Sequence, residues 1–378
     1  MKKSLALKKC PGYGLEEVYD KVREAIELLG GMDSFVSKGE RILIKPNMLS
    51  AKPVDAAVTT HPSVVRALIR LVKEAGATPF VGDSPAIGSP QKVAEKCEIL
   101  SICDDEAVEF IGLTEAVEVT NPDGHIFKRL EVARAAIEAH GIINAPKLKT
   151  HAQMLLTMGV KNIFGCVPGK RKPQWHLSAG VDTLQFAHMI LDLYLFIRPR
   201  LTIMDAVVAM EGNGPASGDP RPVGFIAAGE EAIGVDALCA SILGVPLEDV
   251  PILKAAAERG LLGTDLETWE LLGEDPALIK VSGFKLPPLV HTRFTEGLPY
   301  FLGSRLRKSL TVRPHIVDSR CTLCDLCVGI CPARIMTSAK KIKIEYDKCI
   351  RCFCCQETCP NEAITSKSGW LKKLVPGL

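Results

Sequence analysis

Nowhere in its 378 residues does the sequence approach the ~18 consecutive apolar residues a membrane-spanning helix needs. After Met1-Lys2-Lys3 only Leu5-Ala6-Leu7 precedes Lys8-Lys9-Cys10, too short for a hydrophobic leader region, so no secretory signal and a cytoplasmic protein are expected. Strong net charge is missing too. At +2, the chain has no global pull toward nucleic acid or lipid. No Walker motif, complete dinucleotide fingerprint, H-E-x-x-H or His-rich cluster occurs, so nucleotide and zinc-hydrolase chemistry find no support. Nor does a disulfide framework, since Cys10, Cys97, Cys103, Cys166 and Cys239 are scattered. Disorder finds no support either, because 47% hydrophobic and 24% charged residues can build a sizeable core.

What is present is concentrated near the C-terminus. Cys321, Cys324, Cys327 and Cys331-Pro332 form one C-x2-C-x2-C-x3-C-P run, and Cys349, Cys352, Cys355 and Cys359-Pro360 repeat it at a constant offset. In such runs three thiolates hold one [4Fe-4S] cube and the fourth reaches the other. Cys321, Cys324, Cys327 and Cys359 are thus expected on one cluster, and Cys349, Cys352, Cys355 and Cys331 on a second. Zinc is the alternative, but a zinc ribbon leaves the third and fourth cysteines of each run without a use. A ninth cysteine, Cys354, is either a bystander or a substitute ligand, and the bystander reading keeps the repeat in register.

Residues 316–367 resemble the bacterial two-cluster ferredoxins. The resemblance implies a small pseudo-symmetric domain with two low-potential one-electron centres. Oxygen sensitivity of such centres points to an anaerobic or microaerobic host. Between the halves, Ile335-Met336-Thr337 and residues 342–346 alternate like paired strands around a turn at 338–341.

The preceding part alternates helices and strands. Helices are expected over residues 15–29, 62–75, 182–196, 232–243 and 252–259, and strands over 41–45, 79–82, 141–144, 201–204 and 224–228. This pattern predicts an α/β fold: a mostly parallel sheet with helices on both faces, followed by a small α+β ferredoxin domain. The expected boundaries are 1–285 for the α/β domain, 286–314 for a Pro-rich connector, 315–368 for the ferredoxin domain and 369–378 for a tail. A weaker alternative makes the connector and tail a peripheral membrane contact, through Phe301, Leu302, Leu306 and Trp370 beside basic residues.

Ligands bind beyond the carboxyl ends of such strands. There the sequence places Lys45-Pro46-Asn47, Asp83-Ser84-Pro85 and Pro146-Lys147-Leu148-Lys149-Thr150-His151, with Lys161-Asn162, His176 and Asp205 further on. Residues 139–181 hold six Lys or Arg and no Asp or Glu, an imbalance that attracts an anion. Lys170, Arg171 and Lys172 read as solvated loop residues. His151 and His176, with His61 as a third candidate, suit proton transfer. Asp205 is either a helix N-cap or catalytic. Gly212-Asn213-Gly214 resembles a nucleotide-binding turn only weakly, lacking the third glycine.

These pieces, together with Thr60-His61-Pro62, Gly159-Val160-Lys161-Asn162, Phe164-Gly165 and Gly212-Asn213-Gly214-Pro215, are similar to the family of domain of unknown function 362 over roughly residues 40–230. Members often carry a C-terminal two-cluster ferredoxin domain. The expected function is an iron-sulfur oxidoreductase using two [4Fe-4S] clusters, with an electron donor or acceptor protein as partner and a small anion as substrate. Lys149, His151, His176 and Asp205 are the expected catalytic residues, with Lys45, Asn47, Lys147, Lys161 and Asn162 binding substrate. The alternatives are an electron-transfer component docking to a partner enzyme, and an iron-sulfur sensor or assembly factor.

Overall fold

A computed structural model describes residues 3–85, 88–262, 266, 268–279, 281–288 and 312–367. Most of the expected connector, the tail and the candidate membrane contact lie outside the described residues. Among those described, no helix is long and apolar enough to cross a membrane.

The large domain is built on a ten-stranded sheet. Its strands are β1 (Lys3–Lys9), β2 (Arg41–Pro46), β3 (Thr78–Asp83), β4 (Phe110–Gly112), β7 (Gly141–Ala145), β10 (Leu201–Glu211), β11 (Asp219–Gly229) and β12 (Trp269–Gly273), with β8 (Lys147–His151) and β9 (Leu155–Thr157) to one side. Between β4 and β7, β5 (Ala116–Thr120) and β6 (Arg129–Ala133) form a separate hairpin. The main order is β12-β1-β11-β10-β7-β2-β3-β4, in which β11 alone runs antiparallel to its neighbours.

Both faces are covered. In β2, Ile42 and Ile44 join a core with α1 (Leu15–Leu28) and α2 (Pro62–Glu74), whereas Leu43 joins a second core on the opposite side. That alternation is the strand period of two, and burial on both sides explains the nearly continuous apolar runs. Helices Thr183–Ile197, Ala232–Ile242 and Pro251–Glu258 supply much of the second core.

The segment after β7 departs from expectation. Residues 147–151 form a strand, not a loop, and all five are buried. The cause is a length mismatch: β10 has 11 residues and β7 only 5, so beyond the Thr202–Asn144 pair β10 offers a free edge that β8 takes up. Polar Lys, Thr and His at these positions conceal the strand from any hydropathy pattern.

Side chains 147, 149 and 151 share one face of β8, spaced by roughly 7 Å per pair of residues. Lys147, the innermost, meets Asp205 of β10 at 2.9 Å and the Tyr13 hydroxyl at 2.6 Å. Tyr13 donates to Asp205 Oδ1 at 2.7 Å, and its ring stacks on His61 with centroids 3.5 Å apart. The other Asp205 oxygen accepts the backbone N–H of His61, the cap of α2. Asp205 therefore lies within β10 and is not a helix N-cap. It joins β8, β10 and the start of α2 through a buried ion pair, and Lys147 is fully committed to it.

The ferredoxin domain pairs β13 (Arg313–Ile316) with β16 (Ile364–Lys367), and β14 (Met336–Ser338) with β15 (Ile342–Ile344), as the alternating residues implied for the second pair. Its backbone repeats its sequence: Leu323, Asp325 and Arg334 adopt positive φ, and so do Arg351, Phe353 and Glu362 at the equivalent positions.

Asp205→Ala is expected to destabilise the protein by about 3–5 kcal/mol, because Lys147 is left buried and unpaired. Chemical denaturation of the full chain measures it. Unchanged stability with lost turnover would instead make Asp205 catalytic.

Candidate functional site

Where β2, β3 and β8 end, they meet Gly159–Asn162 and Lys172–Ala179, two short helices, around a cavity of about 70 Å³. Seven of the nine expected catalytic and substrate-binding residues line it: Lys45, Asn47, Lys149, His151, Lys161, Asn162 and His176. Lys147 and Asp205 do not, being paired deeper in the sheet. The far wall comes from the ferredoxin domain, through Ile330, Cys354 and Glu357.

Charge on this cavity is unbalanced. Among the described residues lining it, Lys45, Lys149, Lys161 and Lys172 face only two carboxylates, Asp83 and Glu357. Lys45 is wholly buried, 2.9 Å from Asp83 Oδ1, and also donates to the Pro46 carbonyl. Asp83 is held by the backbone N–H groups of Met48 and Ser84. Gly165 packs flat on this pair, since a side chain there would collide with Lys45 Nζ and Asp83 Oδ1. Lys172 donates to the Ser84 carbonyl. It is buried, so the expectation that it merely solvates a loop fails, whereas Arg171 does pair with Glu131 at the surface.

Lys149 donates to Asn47 Oδ1 and the Val58 carbonyl, both at 2.7 Å. Asn47 in turn donates to Asn162, which donates to Asn144 and the Lys45 carbonyl. The two asparagines expected to bind substrate thus have amides committed to positioning Lys149 and Lys45. Lys161 differs. Among the described residues no hydrogen bond or ion pair takes its ammonium, which lies 5.1 Å from the Phe164 ring centroid.

His151 Nδ1 accepts from the backbone N–H groups of Gln153 and Met154, which places the ring proton on Nε2. That atom lies 3.1 Å from Glu357 Oε1, but off the line of a good hydrogen bond, so both atoms keep unused capacity. Among the described residues, His176 Nδ1 and Thr157 Oγ1 are likewise buried without hydrogen-bond partners. Burial lowers Lys149 to about 7, Lys172 to about 8 and His176 to about 3, and pushes Lys161 and His151 down as well. Burial alone would raise Glu357. The His151 contact and the Lys161 charge outweigh it and keep Glu357 a carboxylate.

Two smaller cavities lie within the ferredoxin domain. One is lined by Cys321, Cys324, Cys327 and Cys359, the other by Cys349, Cys352, Cys355 and Cys331, the crossed sets expected from the spacing. Four thiols around each enclosed space, on loops curled by paired positive-φ residues, fit [4Fe-4S] clusters. Cys324 is exposed and Cys352 and Cys355 are buried. Cys354 lines the large cavity and neither of these.

The glycine-rich turn after β10 holds the domains together. Asn213 accepts from Gln356 at 2.6 Å and from the Ser366 backbone, while Thr150 holds the turn through Gly212 and Gly214. Lys52 and Glu362 add an ion pair at 2.9 Å. The turn's role here is docking.

The family model described as a domain of unknown function (DUF362) matches residues 42–241. The chain belongs to this family. A 4Fe-4S dicluster domain model matches residues 313–360, which gives this DUF362 member 4Fe-4S clusters and an iron-sulfur electron-transfer role. It is 40% identical over 310 residues to the thylakoid-associated protein sll1697 of Synechocystis sp., covering 81% of this chain and 94% of that protein. The ferredoxin segment is 35% identical over 57 residues to the pyruvate synthase subunit PorD of Methanocaldococcus jannaschii, covering 15% of this chain and 66% of PorD. Among solved structures, the lactate racemase apoprotein from Thermoanaerobacterium thermosaccharolyticum aligns with a TM-score of 0.41 at 14% identity, covering 65% of this chain and 58% of that one.

Sequence reasoning missed Glu357, Thr157 and the burial of Lys172. For Glu357 one signal existed: the equivalent position in the first cysteine run is Gly329, so a charge enters only one half of a repeat.

Lys149 carries its charge below about pH 7 and Lys172 below about pH 8, and a bound anion would favour both charged forms. Lys149 also feels Glu357, Lys161, Lys147 and Asp83. Sulfate affinity is therefore expected to fall as pH rises from 7 to 9, by up to about tenfold per unit for each proton taken up on binding. A flat profile in calorimetric titrations would mean that both lysines remain charged in the free protein.

Proposed function

We propose that this protein is an iron-sulfur oxidoreductase that exchanges single electrons with a small anion held between its two domains. The domains are taken as 1–285 and 315–368. One observation carries the reading: the helix Cys354–Glu357 supplies both a wall of the cationic cavity and Cys355 of the inner cysteine set. Cys354, on the cavity wall, is the sequence neighbour of Cys355 in that set.

Cys321, Cys324, Cys327 and Cys359 would hold one [4Fe-4S] cluster, and Cys349, Cys352, Cys355 and Cys331 a second. When bound, the clusters supply one-electron transfer. The set with exposed Cys324 would serve a donor or acceptor protein, and the set containing Cys355, next to Cys354 of the cavity wall, would serve the anion. Lys161 and Lys149 bind the anion, with Lys45 and Lys172 adding positive potential. His151 presents its Nε2 proton, and His176 Nδ1 offers a second proton site. Preorganised cations in a dry site stabilise charge far better than in water.

Similarity of the ferredoxin segment to PorD supports a second reading, an electron-transfer component serving a partner enzyme. The two separate on whether a small anion alone reoxidises the chemically reduced protein. Under the first reading it does. Lys149→Ala combined with His151→Ala should then slow reoxidation at least about 30-fold, the effect of losing roughly 2 kcal/mol of charge pairing, with clusters still assembled. If no anion reoxidises the protein until a partner is added, it is a carrier.

Crossed ligation has its own test. Cys331→Ser should perturb chiefly the cluster of Cys349, Cys352 and Cys355 in low-temperature electron paramagnetic resonance. Selective loss of the other signal would reverse the ligand sets.

A further inference from the structure

Size and charge of the cavity narrow its ligand. At about 70 Å³ the cavity is under half of the roughly 150 Å³ that takes one benzene ring, which suits a ligand of a few non-hydrogen atoms. A nucleotide, flavin or nicotinamide is far larger. Four lysines against Asp83 and Glu357 leave two positive charges unmatched, counting every described group on the lining as ionised. Neither carboxylate is equivalent to the other. Asp83 belongs to the large domain and is saturated by Lys45 and two backbone N–H groups, whereas Glu357 comes from the ferredoxin domain and keeps an oxygen whose contact with His151 is imperfect.

Glu357 thus does what a ligand's carboxylate would do. It places an oxygen anion among His151, His176 and Lys161, the side chains with unused capacity. The polar groups aimed at the cavity are largely donors: the Lys161 ammonium, the His151 Nε2 proton and the Thr157 hydroxyl. Such a set recognises oxygen anions and repels metal cations.

We infer that the ligand is a small, doubly charged oxygen anion, either an inorganic oxyanion or a very short dicarboxylate, and that Glu357 is a resident carboxylate opposing its binding. This rests on the cavity being the substrate site. It does not depend on electrons reaching the ligand.

The test uses the full-length, cluster-loaded protein, anaerobic and oxidised, so that no turnover is required. Sulfate and oxalate serve as inorganic and dicarboxylate probes, with flavin mononucleotide as the oversized control, each titrated by calorimetry. Expected is one-to-one binding of sulfate, oxalate or both, mutually exclusive if both bind, with the flavin excluded. Lys161→Met should weaken binding at least tenfold. Glu357→Gln should strengthen it at least tenfold, an outcome that general damage to the site cannot produce. Cluster absorbance and thermal melting check that each variant folds, and Lys172→Met replaces Lys161→Met if the latter does not.

Weakened or unchanged affinity in Glu357→Gln would overturn the role given to that residue. Failure of both dianions to bind up to millimolar concentration, or Lys161-dependent binding of the flavin, would overturn the ligand class. Tight dianion binding leaves this inference standing whether or not any small anion reoxidises the reduced clusters, which is the separate test of the oxidoreductase reading.

Discussion

Unbalanced positive charge at the strand ends is the constraint around which the rest of the structure is arranged. Moving an ammonium group out of water is expensive, and the penalty persists unless hydrogen bonds and opposite charges replace the solvent. Here the compensation is partial and uneven. Lys45 has Asp83 and a carbonyl, Lys149 has an amide oxygen and a carbonyl, and Lys172 has the Ser84 carbonyl. Burial without full compensation lowers the proton affinity of Lys149 and Lys172. A surface cluster could relax into solvent, but this one is fixed by three strands and an asparagine chain. It therefore retains a demand for an anion.

The ferredoxin domain answers part of that demand. Glu357 brings the second carboxylate, and Gln356, Glu362 and Ser366 fix its approach through Asn213 and Lys52. Docking and charge compensation are thus coupled through one short helix, Cys354–Glu357. Anything that alters the charge in the cavity also alters how strongly the two domains hold each other. A bound dianion would compete for the donors around Glu357 while leaving the Asn213 contacts in place. The turn and the carboxylate accordingly separate mechanical attachment from electrostatic attraction.

Much of this arrangement is legible in the amino-acid order. Helical spacing places the five expected helices to within a residue, period-two spacing finds the main strands although β10 and β11 run well beyond the expected 201–204 and 224–228, and the cysteine repeat indicates which thiols meet around which space. The basic stretch from 139 to 181 supplies Lys149, Lys161 and Lys172 to the cationic cavity. What is not legible depends on contacts distant in sequence. Lys147 and Lys149 sit two positions apart with the same chemistry, yet one faces Asp205 and Tyr13 and the other faces the cavity. Nothing local distinguishes them, because the difference is set by how far β8 has advanced along β10. Asp205 shows the same limit: a carboxylate following an apolar strand suggests a cap, but β10 continues for six more residues, from Ala206 to Glu211.

Having both domains on one chain has a physical consequence for the chemistry proposed. A separate ferredoxin would have to dock on a strongly cationic mouth, and each encounter would be weakened by salt and by any anion already bound. Tethering replaces that encounter with an intramolecular one of high effective concentration, so even a modest contact keeps Glu357 at the cavity wall. The contact can then stay modest. That tolerance lets His151 and Glu357 remain imperfectly paired, with donor and acceptor capacity in reserve. A perfectly satisfied interface would bind the domains more tightly, but it would leave an incoming anion with fewer groups to recognise it.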